Sequence, residues 1–408
     1  MFSHREYQQV FKTMILLLLV AGCAQAEPIT RAATVPPPQP PPPEQQQPPP
    51  AADQEGIFKF VKTIQVTPDE NFSDGGLGHI HYVPATDRMV VMLSVQLEKP
   101  VTLTYSAETC QGKALAYKEY TTDMQPTGKF GYLYCASADI NSRIIGNDIY
   151  LASMTTGHVS EDGQPEWTGW HVEKFDAVSW NRLAYVDIPL DISEEIDDGP
   201  TIADINGQIV VSGEYFPDGN PDGPLGRGSH HHFFTTNLEP LGKKILMAPE
   251  TPSHCPMISM IQEPGGDILM FAATAYFDGS LLMLRFDKEW NFIEQKELRE
   301  QAFFPTGSVS DENLFYIAYT DISKKGPMPL YRNVGLAAYD RNWQLLQDVA
   351  VTDFVNTDDT WIDGESPWVQ LLGKRLFVSY LESELDPVGG LLVENQAYVN
   401  IYELTRMP

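Results

Sequence analysis

From residue 57 onward the apolar positions fall into short blocks of strand length, separated by Gly, Pro, Asn and Asp, and helical spacing is almost absent. The only helical candidate, residues 297 to 302, is too short to stand alone. One unit recurs: a Gly or Pro with a short mixed strand, a tight polar turn, then a strongly apolar strand. Six segments fit it. They are Gly78–Leu93, Gly131–Leu151, Gly199–Gly213, the stretch from Pro256 through Asp267-Ile-Leu-Met-Phe-Ala, Pro305–Tyr319 and Pro367–Tyr380. The second half of the unit is a hairpin with its own signature, seen in Phe175-Asp-Ala-Val-Ser-Trp180, Phe286-Asp-Lys-Glu-Trp290 and Tyr339-Asp-Arg-Asn-Trp343. A strand ends in an aromatic residue, Asp opens the turn by bonding its own backbone, and Trp caps the edge of the next strand. The third unit carries a weaker version, Thr235-Thr-Asn-Leu-Glu-Pro-Leu241.

Four short antiparallel strands per unit, repeated every 50 to 70 residues or so, predict an all-β fold, a six-bladed β-propeller of four-stranded blades. The sixth unit offers only three strands, ending in residues 397 to 404. Residues 57 to 66 precede the first unit and read as one unpaired strand, with Phe58, Phe60, Ile64 and Val66 on one face, interrupted by Lys62. Pairing this strand with residues 397 to 404 completes the last blade and removes an exposed edge. A Pro ahead of the inner strand makes the units similar to TolB-type six-bladed repeats. That resemblance implies a fold and carries no function.

The first 56 residues are built differently. An apolar run from Met14 ends in Val20-Ala21-Gly22-Cys23, after a short region with Arg5 and Lys12. At about ten residues it is half of what a membrane-spanning helix needs, and it has the layout of a signal peptide. Those last four residues resemble the lipobox of bacterial lipoproteins. The resemblance implies that residues 1–22 are removed and that Cys23 is lipidated and becomes the first residue of an exported, membrane-anchored chain. An ordinary secretory cut after Ala24-Gln25-Ala26 is the alternative. Ala24, where an Asp would favour retention at the inner membrane, points to the outer membrane and leaves open the periplasmic or cell-surface side. Residues 23–56 then form a linker. Its Pro-rich core at 36 to 50 favours polyproline II and would extend about 45 Å. Residues 57–408 form the propeller.

Charge narrows the partners. The formal net charge is −28, and losing Arg5, Lys12 and Glu6 with the leader moves it to about −29. An acidic chain of this kind disfavours nucleic acid and anionic headgroups, and suits a cation or a basic partner. Of the four cysteines, Cys110 and Cys135 can pair outside the cytoplasm, leaving Cys255 as a buried thiol.

Candidate chemistry gathers on the propeller face where chain enters the inner strands. The longest loops fall there: 191–198, 217–232, 321–332, 353–365 and 382–394. Asp198, Asp204, Asp363 and Glu365 lie near predicted inner-strand entries and could form the carboxylate pair of a glycoside hydrolase. Asp218 and Asp222 resemble the start of a calcium loop, without the spacing of an EF-hand. His79 and His81 alternate on one strand and so point the same way. With His254, and with His230-His-His232 in a long loop, they could hold a transition metal, though no established zinc spacing occurs. Gly-x-Ser-x-Gly, phosphate-loop and dinucleotide signatures are lacking. Ser160-Glu-Asp-Gly-Gln-Pro-Glu-Trp167 comes close to the Ser-x-Asp-x-Gly-x-x-Trp box of sialidases, but its Gly is one place early. Two readings follow. One is a non-catalytic lipoprotein binding a protein, glycan or envelope component through its loop face. The other is a carbohydrate-active hydrolase or lyase using carboxylates at the channel mouth.

Overall fold

The computed structural model describes residues 56–67, 76–97, 99–135, 141–159, 165–190, 200–215, 228–246, 258–273, 279–323, 332–354, 361–385 and 391–405. The leader, Cys23, the Pro-rich segment, Asp198, Asp218, Asp222, His254 and Cys255 lie outside these residues, as do most residues of the long loops.

The described chain forms six four-stranded antiparallel sheets. Strand β1 (Phe58–Gln65) comes first in the chain but belongs to the last blade. Blade 1 is β2 (Gly76–Val83), β3 (Arg88–Gln96), β6 (Lys113–Thr121) and β7 (Pro126–Tyr134), with a side ribbon of β4 (Val101–Thr102) and β5 (Thr109–Cys110). Blade 2 is β8 (Asn141–Ile145), β9 (Asp148–Val159), β10 (Pro165–Asp176) and β11 (Arg182–Pro189). Blade 3 is β12 (Thr201–Ile205), β13 (Gln208–Tyr215), β14 (Gly228–Phe234) and β15 (Pro240–Leu246). Blade 4 is β16 (Ser259–Gln262), β17 (Ile268–Ala273), β18 (Ser280–Phe286) and β19 (Phe292–Glu300). Blade 5 is β20 (Ala302–Ser310), β21 (Leu314–Asp321), β22 (Asn333–Asp340) and β23 (Leu345–Ala350). Blade 6 is β24 (Trp361–Leu372), β25 (Arg375–Leu385), β26 (Leu391–Leu404) and finally β1. The first strands of neighbouring blades touch all the way round, from β2 through β8, β12, β16, β20 and β24 back to β2. The fourth strands face solvent, as the mostly exposed β11, β15 and β19 show. The protein is therefore a six-bladed β-propeller.

Each pair of adjacent blades encloses one apolar cluster, because both faces of a blade are covered and its second and third strands carry few polar residues. The hairpin between third and fourth strands explains part of this packing. Met124, Trp180, Leu238, Trp290 and Trp343 all take positive φ, from 58° to 66°. All five are buried, one in each of five clusters. Each turn opens with Asp or Thr, whose side-chain oxygen accepts backbone N–H groups two to four residues on, as Asp287 does from Glu289 and Asn291. The turn residue then bonds back, Trp290 N–H to Asp287 O at 2.9 Å, and a register break follows in the ladder. Glycine is the usual occupant of such a position. A left-handed non-glycine residue costs about 1–2 kcal/mol. Burying the 150–250 Å² of a Trp contributes about 4–6 kcal/mol, so the large side chain wins. The three Trp thus sit in the turn itself and wedge between blades, rather than capping a strand edge. Trp180 lies flat on Tyr117 of blade 1, with ring centroids 3.7 Å apart.

Blade 6 has no such turn, because its fourth strand comes from the other end of the chain. Ile57 and Phe58 occupy the corresponding cluster between blades 5 and 6, Phe58 with its ring 6.0 Å from Tyr316. Residues of β1 pair with Tyr398 to Leu404, and Val66 N–H donates to Ala397 O at 2.8 Å, so the ring closes as the sequence predicts. The expected single apolar face does not form. A bulge between Phe60 and Lys62 shifts the alternation at Val61. Phe58 and Phe60 then face blade 5, while Ile64 and Val66 face blade 1. One short strand so covers two inter-blade clusters.

Three unit boundaries also move. Gly131 lies in β7, the outer strand of blade 1, and blade 2 begins at Asn141. Its Gly is a close-approach site against Tyr117 and not a unit start. Pro305 and Pro367 sit inside β20 and β24, where register breaks tolerate a residue without an N–H, rather than ahead of those strands. Gly307 follows the break in β20; a Cβ there would lie 2.4 Å from Val369 N, so only glycine lets blades 5 and 6 approach this closely.

Candidate functional site

The inner strands bring a polar and aromatic cluster to the axis. On β2, His79 and His81 point the same way, as strand alternation requires, and meet Ser142 of β8. His79 Nδ1 lies 2.9 Å and His81 Nε2 2.8 Å from Ser142 Oγ, and the Ser142 backbone N–H also donates to His79 Nδ1 at 3.2 Å. Trp368 of β24 closes the other side, stacked on His79 at 4.2 Å and edge-on to His81 at 5.5 Å. Arg143 of β8 reaches the same indole, 5.8 Å from the ring centroid. Burial, and secondarily the Arg143 charge, pushes His79 down to about 3. His81 falls well below its ordinary value by burial, then through His79 and Arg143. Both imidazoles are neutral at physiological pH. A group held that low is a poor general base, whose best pKa lies near the working pH.

The carboxylates are dispersed. Asp363 of β24 is 3 % exposed and is clamped by Arg332, whose Nε lies 2.9 and 2.8 Å from the two carboxylate oxygens. Glu365 lies two residues further along β24, with its backbone opposite Leu381. Asp204 is not at an inner-strand entry. It lies next to last in β12, just before the turn at Asn206-Gly207, and so belongs to the opposite end of the strand. Burial raises its pKa, against the opposing Gly207 backbone N–H and the Arg143 charge.

His230, His231 and His232 form part of β14, a third strand, and not a loop. They split between two inter-blade faces by alternation. His230 stacks on Trp170 of blade 2 at 4.7 Å, with its Nδ1 3.1 Å from His232 Nε2. His231 faces blade 4, 4.7 Å from the Trp290 ring, with Ser212 and Ser229 hydroxyls 2.7 and 2.8 Å from its two nitrogens. Burial lowers all three, His231 to about 3 and His232 to about 4. They do not converge on His79 and His81. Among the described residues no three His, Cys, Asp or Glu side chains gather as a metal site requires.

Cys110 and Cys135 are joined, with Cα atoms 5.4 Å apart, tying the side ribbon to the end of β7. On the face opposite the entry loops, a shallow depression between blades 4 and 5 holds Glu263, Asp267, Arg285, Glu312 and Arg341. Its charges pair internally: Arg285 lies 2.6 Å from Asp267 and Arg341 3.3 Å from Glu263.

Sequence reasoning missed Asn141, Ser142, Arg143 and Trp368. Only the alternation of β8 hinted at them, since Asn141 and Arg143 are polar residues two apart in a short inner strand.

No protein-family model matches the chain, and no curated protein is similar to it in sequence. Solved structures do resemble it. A protein of unknown function from Dyadobacter fermentans DSM 18053 superposes with a TM-score of 0.62 at 15 % identity, over 85 % of this chain and 99 % of that one. The Trypanosoma rangeli sialidase, solved with 2,3-difluorosialic acid as a covalent intermediate, gives a TM-score of 0.50 at 11 % identity, over 86 % of this chain and 60 % of that one. At such identities the likeness is one of fold. The neighbouring folds include glycoside hydrolases of the GH43 and sialidase kinds.

Proposed function

We propose that this chain is an exported lipoprotein, anchored through lipid on Cys23, whose propeller binds a protein, glycan or other envelope component through its loop face without catalysis. One observation carries the non-catalytic part. Of the described acid and base candidates near the axis, Asp363 is committed to Arg332, and His79 and His81 to Ser142 as buried neutral rings, while Asp204 lies at the far end of its strand from Asp363. A hydrolase of the two-carboxylate kind needs one free acid and one free base. The lipobox resemblance supports the anchor, and the Pro-rich run supports a spacer that holds the domain off the membrane.

The anchor is tested by mass and fractionation of Cys23→Ser. This variant should be released in soluble form or persist as unprocessed precursor; membrane association at the mature mass would refute the lipid anchor. The binding reading is tested by a polysaccharide screen of the purified lipoprotein. Cleavage that disappears in Glu365→Ala or Asp198→Ala would replace it with the carbohydrate-active reading. That second reading has support at the level of fold alone, through the sialidase-like architecture.

A further inference from the structure

The arginines of the propeller are paired as a rule. Arg182, Arg285, Arg299, Arg332, Arg341 and Arg375 each have a carboxylate oxygen within 4 Å. Arg143 differs. Among the described residues it has neither an ion pair nor a side-chain hydrogen bond; its guanidinium lies over Trp368 and feels Asp204 only at longer range. Two residues earlier on β8, Asn141 shares its face, because the two sit opposite Ala152 and Tyr150 on β9. Asn141 is 6 % exposed, and its side-chain oxygen has no partner. A donor fork and an acceptor that no described side chain takes up therefore stand side by side on an innermost strand.

Burying an amide oxygen without a partner is costly, and the half-buried Arg143 beside it offers N–H donors that no described side chain takes up. Ser142, between them on β8, is by contrast satisfied by both imidazoles. We propose that Arg143 and Asn141 form a binding site for a small oxyanion, a carboxylate or phosphate group that also carries a hydroxyl. The oxyanion would accept the guanidinium N–H groups, which suit two-oxygen recognition. The hydroxyl would donate to Asn141 Oδ1. His79 and His81 stay neutral beside it, so the site offers one positive charge. Against a net charge of −28 the attraction must act at contact range, within a Debye length of about 8 Å. Asn141 opens β8 at the loop-face end, but the oxyanion contacts use none of the long loops, so their failure would leave that reading intact.

Calorimetric titration of the full chain in detergent tests it, with inorganic phosphate, glucose 6-phosphate, glucuronate and glucose as probes. An oxyanion probe should bind and glucose should not. Preference for glucuronate would identify a carboxylate ligand, preference for glucose 6-phosphate a phosphate ligand. Arg143→Gln should weaken binding at least tenfold, and Asn141→Ala several-fold for the hydroxylated probes only. Without any probe, Arg143→Gln should melt no lower than wild type, because it removes an unpaired cation. Three results would overturn the site: no heat with any anion up to about 10 mM, equal binding by Arg143→Gln, or a melting point for that variant several degrees below wild type in anion-free buffer, which would mark the guanidinium as structural.

Discussion

Lowering the pH should unfold this propeller well before its carboxylates titrate, through four histidines. His79, His81, His230 and His231 are each 3 % exposed or less. All four are driven down by burial. In the unfolded chain each recovers a pKa of about 6.5. Below that value the unfolded state binds more protons than the folded one, so stability is full above pH 6.5 and is lost as pH falls. At pH 5 each neutral imidazole costs about 2 kcal/mol, from 1.36 kcal/mol per unit over 1.5 units. Four cost about 8 kcal/mol, and His232, which burial lowers to about 4, adds up to about 2 kcal/mol more; the sum is comparable with the whole stability of a typical domain, about 5–15 kcal/mol. His171 acts in the opposite sense. Burial lowers it, but its hydrogen bonds to Glu173 and Asp187 raise it overall, so it returns some stability as it gains its proton. Urea titrations followed by Trp fluorescence at pH 7.5, 6.5, 5.5 and 5.0 would measure the effect. With His232 the slope should approach five protons, about 7 kcal/mol per pH unit, between pH 5.5 and 5.0. A stability constant to within about 1 kcal/mol from pH 7.5 to 5.0 would refute the reasoning and imply that the rings are reached by water or repack at little cost.

The turn wedges make a comparison that separates burial from backbone strain. Trp290→Ala should destabilise by about 3–5 kcal/mol, and Trp290→Gly by about 1 kcal/mol less, since only glycine relieves the positive φ; denaturation in which Gly proves worse than Ala would reject the strain assignment. Phe58→Ala should cost about 3 kcal/mol or more, like the turn wedges, because Phe58 fills the equivalent cluster; a loss under about 1 kcal/mol would deny the equivalence. Removing residues 1 to 74, and with them β1, should abolish cooperative melting or lower it by more than about 5 °C, whereas removing residues 1 to 54 should not; a difference within about 2 °C would mean the closing strand is not structural.

The architecture was legible because strand alternation and turn chemistry are local. The repeat, the Asp-initiated hairpins and the pairing of residues 57 to 66 with residues 397 to 404 all follow from a side-chain period of two and from the need to cover an edge. Cys110 and Cys135 stand 25 positions apart, and nothing local shows whether two such thiols meet; the path of the side ribbon decides it. Other features were invisible for the same reason that made the pattern clear. A one-residue bulge at Val61 reverses which neighbour a side chain meets, and no alternation rule announces it. His230-His-His232 looked like a loop because polar rings seldom fill an inter-blade face; stacking on Trp170 and Trp290 makes them fit there. The axial cluster was beyond reach altogether. Trp368 lies 225 positions after Arg143, and only the closing of six blades into a ring puts that indole against that guanidinium. The sequence by itself determined the strands, the turns and the number of blades. The tertiary structure decided which charges are paired and which imidazoles lose their water, because burial depends on neighbours that the chain supplies from its far end.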